Sequence, residues 1–180
     1  MMPTVDNVLI LIDVWERLVS DLEVEKKNNI CDFLQQIKGS DQWMVYYWSG
    51  HDSTVTDKKV SHAISQCNHL YTNDGLIVYN NTHKHLNYYF AGFHTNYCVF
   101  SNHIGIDKML ETTVESNRDF FIVKELTSGY DDQSRPTEAT EILFKNVAWQ
   151  NSSPHYGDLI WNYRAQIIRN NLISVNQIKV

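Results

Sequence analysis

The chain has 180 residues, 43% hydrophobic and 12% aromatic, with seven glycines and three prolines. That is a globular composition, of a size for one domain spanning 1–180, and it excludes low-complexity linkers. Fifteen basic against twenty-one acidic residues give a formal net charge of -6, which argues against a nucleic-acid backbone or an anionic membrane surface as main partner. The first residues lack the basic segment of a signal peptide and no apolar run could span a bilayer. Cys31, Cys67 and Cys98 show no C-x-x-C spacing, so a reducing, cytoplasmic setting is expected.

Residues 7–13, Asn-Val-Leu-Ile-Leu-Ile-Asp, form an apolar run closing on an acid and read as a buried strand. Ser20 and Glu23 follow a capping-box pattern, Ile30, Phe33, Leu34 and Ile37 make one apolar stripe, and Gly39 closes that helix. Cys31 lies beside the stripe and reads as packing. Residues 42–48 predict the next strand, with 49–53 as its exit loop. Residues 60–64 predict a short third strand, and Thr72 to Gly75 a helix start that leads to Leu76, Tyr79 and His83 on one side.

The central strand follows at 88–91, aromatic and short enough to be buried on both faces, and Gly92 lets the backbone leave the sheet. Thr95 and Asn96 supply N-cap chemistry for a helix from Cys98 that carries Val99, His103, Ile106 and Leu110. Residues 120–123 predict a further strand ending at Lys124 and Glu125, and 127–135 a polar loop. Pro136 opens a helix with Ile142, Leu143 and Val147 inward. Asp158 begins a last helix striped by Ile160, Tyr163 and Ile167, and 172–175 predict a short strand. Strands alternating with helices across short turns predict an α/β fold of three α/β/α layers, with a doubly wound, mostly parallel, six-stranded sheet.

This topology sets one thiol, that of Cys98, on a helix N-terminus at the carboxyl edge of the sheet. Unpaired N–H groups and the positive end of the helix dipole favour a thiolate there, which makes Cys98 a candidate nucleophile. A free cysteine is more often a small buried hydrophobe. Asp13 shifts that balance, because the ends of parallel strands share one edge, where an acid and a thiol can meet.

Two segments, Leu-Ile-Leu-Ile-Asp-Val at 9–14 and Ala-Gly-Phe-His-Thr-Asn-Tyr-Cys-Val at 91–99, together resemble the isochorismatase-like cysteine hydrolases. The resemblance runs from Val5 to about Val147. It implies a Cys-Asp-Lys triad that hydrolyses C–N bonds in small amides or carbamoyl compounds through a thioester. Cys98 would be the nucleophile and Asp13 the base. A non-proline cis peptide would fall between Phe93 and His94, and the backbone N–H groups of His94 and Cys98 would form the oxyanion hole. Phe93 and Tyr97 would flank a pocket for a small-molecule substrate, and Trp15 would either wall that pocket or cap the core. The resemblance also implies a homo-oligomer and no cofactor.

The chain departs from that pattern in three places. Aligned without gaps from Cys98, the triad lysine at the end of the third strand becomes Ser65, which supplies no cation, and its loss removes transition-state stabilisation. Lys124 is the candidate replacement, at a strand end on the correct edge. Lys84 belongs on the opposite edge, and Lys58 and Lys59 precede the third strand. The segment between second and third strands is short. His51 has Ser49 where a metal-binding Asp would stand, and no second histidine follows at ligand spacing before His62, so no metal site is expected and His51, His62 and His69 read as surface residues. The last thirty residues add a helix. These departures keep a second reading open, a catalytically inactive family member acting as a small-ligand-binding or protein-interaction module.

Overall fold

A computed structural model describes residues 5–16, 20–48, 56–80, 84–112, 118–130, 136–139 and 156–180. Among them, β1 (Asn7–Ile12), β2 (Trp43–Trp48), β3 (His69–Tyr71), β4 (Leu86–Phe93), β5 (Arg118–Tyr130), β6 (Pro136–Glu138) and β7 (Leu172–Ile173) join in one sheet. Its order is β3-β2-β1-β4-β5-β6, with β7 also paired to β5. Every pairing is parallel except β5 with β6. The helices are α1 (Asp21–Ile37), α2 (Lys58–Ile64), α3 (Gly75–Tyr79), α4 (Cys98–Ser101), α5 (Ile106–Thr112) and α6 (Tyr156–Asn171).

Helices cover both faces of β1 and β4, which explains their unbroken apolar runs. Leu9, Leu11, Tyr89, Ala91 and Phe93 face Ile30, Phe33, Leu34 and Ile37 of α1 and Val60 of α2. Val8, Ile10, Ile12, Tyr88 and Phe90 face Val78, Val99, Phe100, Ile106, Met109 and Ile168 on the other side. The result is the three-layer α/β/α arrangement around a mostly parallel open sheet that the strand and helix alternation predicts. No helix among the described residues is long and apolar enough to cross a membrane.

The best-marked elements fall where expected. Ser20 N-caps α1, its hydroxyl accepting the N–H of Glu23 at 3.2 Å, and Gly39 follows the helix with φ 68. Residues 60–64, in contrast, are helical. The carboxylate of Asp57 accepts the N–H groups of Lys59 and Val60 at 2.8 and 3.3 Å and starts α2 there, so the third strand is His69–Tyr71. The strand expected to end at Lys124 continues to Tyr130, and Pro136 starts β6 rather than a helix. The helix from Cys98 stops at Ser101 and a second one starts at Ile106. Between them Gly105 packs so tightly that a side chain would overlap the carbonyls of Val99 and Phe100. Leu76, Leu110 and Tyr163, placed by their spacing on helix stripes, are exposed. His51, His83, Ile142, Leu143 and Val147 lie outside the described residues.

Candidate functional site

Ile12 at the end of β1 pairs with Gly92 near the end of β4, so Asp13 and His94 leave the sheet side by side. Gly92 has φ 109, and any side chain there would overlap the carbonyl oxygen of Ile12. This close approach requires glycine and brings the two strand ends together. Asp13 has φ 58, in the left-handed region, and its N–H donates to the Trp48 carbonyl at 2.9 Å. A carboxylate held in that sparsely populated conformation, 2% exposed, marks a position that the surrounding structure over-determines.

The Phe93–His94 peptide bond is cis, at the position the resemblance assigns. Beyond it the chain is tied to β5. The N–H of Thr95 donates to the Ser128 carbonyl at 2.7 Å. The Thr127 hydroxyl donates to the Gly92 carbonyl at 2.7 Å, which leaves its oxygen to accept the Thr95 hydroxyl at 2.8 Å. Residues 127–130, expected as a loop, are strand because these buried hydroxyls and carbonyls satisfy one another. Thr95 therefore does not cap α4, and the N-cap is Tyr97, with no side-chain capping bond.

Cys98 and Asp13 meet, the thiol donating a hydrogen bond to the carboxylate. The thiol is pushed up to about 12, by burial first and then by the Asp13 charge and that hydrogen bond, while the N–H groups of His94 and of Cys98 itself pull the other way. Burial and the Asp13 charge thus work against the thiolate that the helix N-terminus was expected to favour. Helix α4 is a single turn with a weak dipole, and a buried carboxylate beside the sulfur outweighs it. The site stores a neutral thiol next to a proton acceptor, with two backbone donors aimed at the sulfur.

A second buried pair adjoins the first. His94 Nε2 lies 3.0 Å from Oε1 of Glu23, and the two side chains are 3% and 0% exposed. Burial, acting first, lowers the His94 pKa against the raising hydrogen bond and charge of Glu23, and an Nε2–H facing the Glu23 carboxylate satisfies both groups. Glu23 was legible only as a helix-capping residue, 71 positions from His94. Trp15 packs edge-on against His94, ring centroids 5.5 Å apart, and is half-buried. Phe93 is wholly buried in the core under α1 and α2, so it underlies the site, while Tyr97 is 39% exposed beside Cys98.

The lysines are arranged differently from expectation. Ser65 caps the C-terminus of α2, its hydroxyl donating to the His62 carbonyl at 2.8 Å, and β3 ends instead at Tyr71, followed by Thr72. Lys124 is not at a strand end. It sits within β5, where the pairing with β4 shifts register between Ile122 and Thr127. Its carbonyl accepts Nζ of Lys26 at 3.4 Å, a lysine whose side chain is 3% exposed and whose Nζ is 3.8 Å from Glu138. Lys84 binds Asp6 and the Val5 carbonyl at the opposite edge, as its topology predicts. Lys58 pairs with Glu16 at 3.6 Å, its side chain 85% exposed. The Asp13 charge acts on the Cys98 sulfur, second to burial in raising its pKa.

His62 and His69 are exposed and bind Gln66 and the Cys67 carbonyl. Among the described residues no group of three or more His, Cys, Asp or Glu side chains could hold a metal ion. In comparisons with known protein families, with characterised proteins and with solved structures, the chain matches none.

Proposed function

We propose that this protein is a cysteine hydrolase that cleaves a C–N bond in a small amide or carbamoyl compound, of the isochorismatase-like type. The observation that supports this reading most is the hydrogen bond from the Cys98 thiol to the Asp13 carboxylate, with the N–H groups of His94 and Cys98 directed at the same sulfur. In the proposed reaction Asp13 takes the thiol proton as sulfur attacks the carbonyl carbon, and the C=O electron pair moves onto oxygen. The two N–H groups stabilise that oxyanion. Collapse breaks the C–N bond, and the amine leaves with the proton from Asp13. Asp13 then deprotonates a water that attacks the thioester, which releases the carboxylic acid and returns the thiol.

A thiol near 12 suits this sequence, because the proton moves during attack rather than before it. The test is turnover of a panel of small amides and carbamoyl compounds by the wild type, Cys98→Ala and Asp13→Asn. Turnover lost in both variants is the expected result. Turnover that survives Cys98→Ala removes the proposal.

The second reading, a non-catalytic binding or interaction module, is favoured by where the candidate triad residues lie: Ser65 ends α2 with its hydroxyl on the His62 carbonyl, and Lys124 lies within β5. Failure of the wild type to turn over any member of the panel, together with binding of one that Trp15→Ala weakens, would replace the first reading by this one.

A further inference from the structure

The nucleophile turn cannot hold its own shape. Helix α4 is one turn of four residues without a side-chain cap, too short to persist by itself. One peptide unit in the turn decides where the neighbouring donors aim, the unit between Asn96 and Tyr97. Its N–H donates to the His94 carbonyl at 3.0 Å, and the N–H of Val99 donates to the same oxygen at 3.2 Å. The N–H of Cys98 lies between these two in sequence and is left to face the sulfur.

The carbonyl of that unit is held from far away. Arg164, on α6, donates from Nη1 to the Asn96 oxygen at 2.9 Å. Its Nη2 donates to the Ser101 hydroxyl at 3.2 Å and to Asp107 of α5 at 2.9 Å. The Ser101 hydroxyl donates in turn to the Tyr97 carbonyl at 2.9 Å. The guanidinium also lies over the Phe100 ring, 5.3 Å from its centroid, and the side chain is 12% exposed. One planar fork thereby touches the turn before Cys98 and the helix after it, and is itself fixed by an acid on a third element.

We propose that Arg164 is a positioning residue of the Cys98 site. By fixing the Asn96–Tyr97 peptide plane it aims the Cys98 N–H, and it makes the C-terminal helix part of the site's scaffold. The catalytic consequence rests on the hydrolase reading; the consequence for the thiol does not.

Arg164→Lys and Arg164→Met separate geometry from charge. Lysine keeps the cation but lacks the planar fork that meets Asn96 and Asp107 from two separate nitrogens. Alkylation of Cys98 by iodoacetamide, followed peptide by peptide against pH, is the first readout, with Cys31 in the same sample as control. Both variants are expected to slow Cys98 alkylation about threefold or more at pH 9, because a donor that favours the thiolate is misdirected, with Cys31 unchanged. On any amide that the wild type turns over, kcat is expected to fall about tenfold with KM within twofold.

Wild-type behaviour in a folded Arg164→Lys overturns the proposal, since charge alone then suffices, and faster alkylation of Cys98, alone or together with Cys31, overturns it as loosening of the fold. If the wild type turns over no amide, the hydrolase reading fails while the alkylation profiles still decide the role of Arg164. Where the Arg164 variants fold poorly, Asp107→Asn frees one edge of the fork and is expected to give the same shift at smaller amplitude; no shift there overturns the proposal.

Discussion

Cys67 and Cys98 sit at opposite ends of the parallel sheet, Cys67 where α2 turns into β3 and Cys98 where β4 turns into α4. In both, burial is the first cause of a raised thiol pKa. What surrounds the sulfur differs. Cys67 Sγ faces two carbonyl oxygens, those of Leu34 at 3.5 Å and Ala63 at 3.6 Å, which satisfy an S–H and repel a thiolate, although the charge of Lys38 pulls the other way. Cys98 faces a carboxylate that can take its proton and two N–H groups that can hold the anion left behind. On the proposed reading, then, neither depth nor pKa marks the nucleophile. A place for the proton combined with donors for the negative charge does.

The largest effect expected from this contrast is on turnover. Cys98→Ala should lower kcat/KM for any amide substrate by about a thousandfold or more, whereas Cys67→Ala should leave it within about twofold. Steady-state kinetics on the two variants measures this, and similar losses in both would erase the distinction.

The Cys98 end also holds the buried pair of Glu23 and His94, which should carry stability. Glu23→Ala leaves the Nε2–H of His94 buried without its acceptor and should cost about 2 to 3 kcal/mol in urea unfolding. Glu23→Gln keeps an acceptor oxygen and should cost less than half as much. Equal losses from the two substitutions would mean that packing around Glu23, rather than its bond to His94, is what matters.

Much of this end was legible from the residues themselves. The runs at β1 and β4 are apolar throughout because both sheet faces are covered, and the closing Asp13 and the Gly92–Cys98 turn announce where the strands stop. Part of what stayed hidden turns on one local cap, and the rest on partners remote in sequence. Residues 60–64 suit a strand or a helix equally until Asp57 is seen to cap them. Thr127 and Ser128 look like loop because they are polar, yet the Thr127 hydroxyl and the Ser128 carbonyl are met by Gly92 and Thr95 across β4. The ungapped alignment that set Ser65 at a strand end failed because it assumed a strand where the Asp57-capped α2 stands. Glu23 with His94, and Arg164 with Asn96, are pairings that no local pattern encodes.

Removing the carboxylate but keeping its shape sharpens the contrast in a way that a purely structural acid would not. Asp13→Asn takes away the negative charge and the charged acceptor that hold the proton on Cys98, so its thiol should titrate lower. Alkylation of wild-type Cys98 should keep rising with pH beyond 10, as expected of a thiol near 12, whereas an ordinary thiol levels off above its value of about 8.5. In Asp13→Asn the rise should come earlier, giving about a tenfold faster alkylation at pH 9 together with lost turnover. Slower alkylation in this variant would show that Asp13 shapes the site without raising the thiol.

The smallest effect expected is at the other cysteine. Cys67→Ala removes one sulfur from a close-packed junction between α1, α2 and β3 and frees two carbonyls from a weak donor; the Ala63 carbonyl also accepts the N–H of Gln66 at 3.2 Å. A loss of about 1 kcal/mol follows, from a cavity smaller than a methylene chain would leave. Because the junction lies at the amino edge of the strands, the Cys98 alkylation profile should be superimposable on that of the wild type. A shift in that profile without loss of fold would mean that the two edges communicate through the central strands, and that the separation between a packing thiol and a reactive one is a property of the whole sheet rather than of what touches each sulfur.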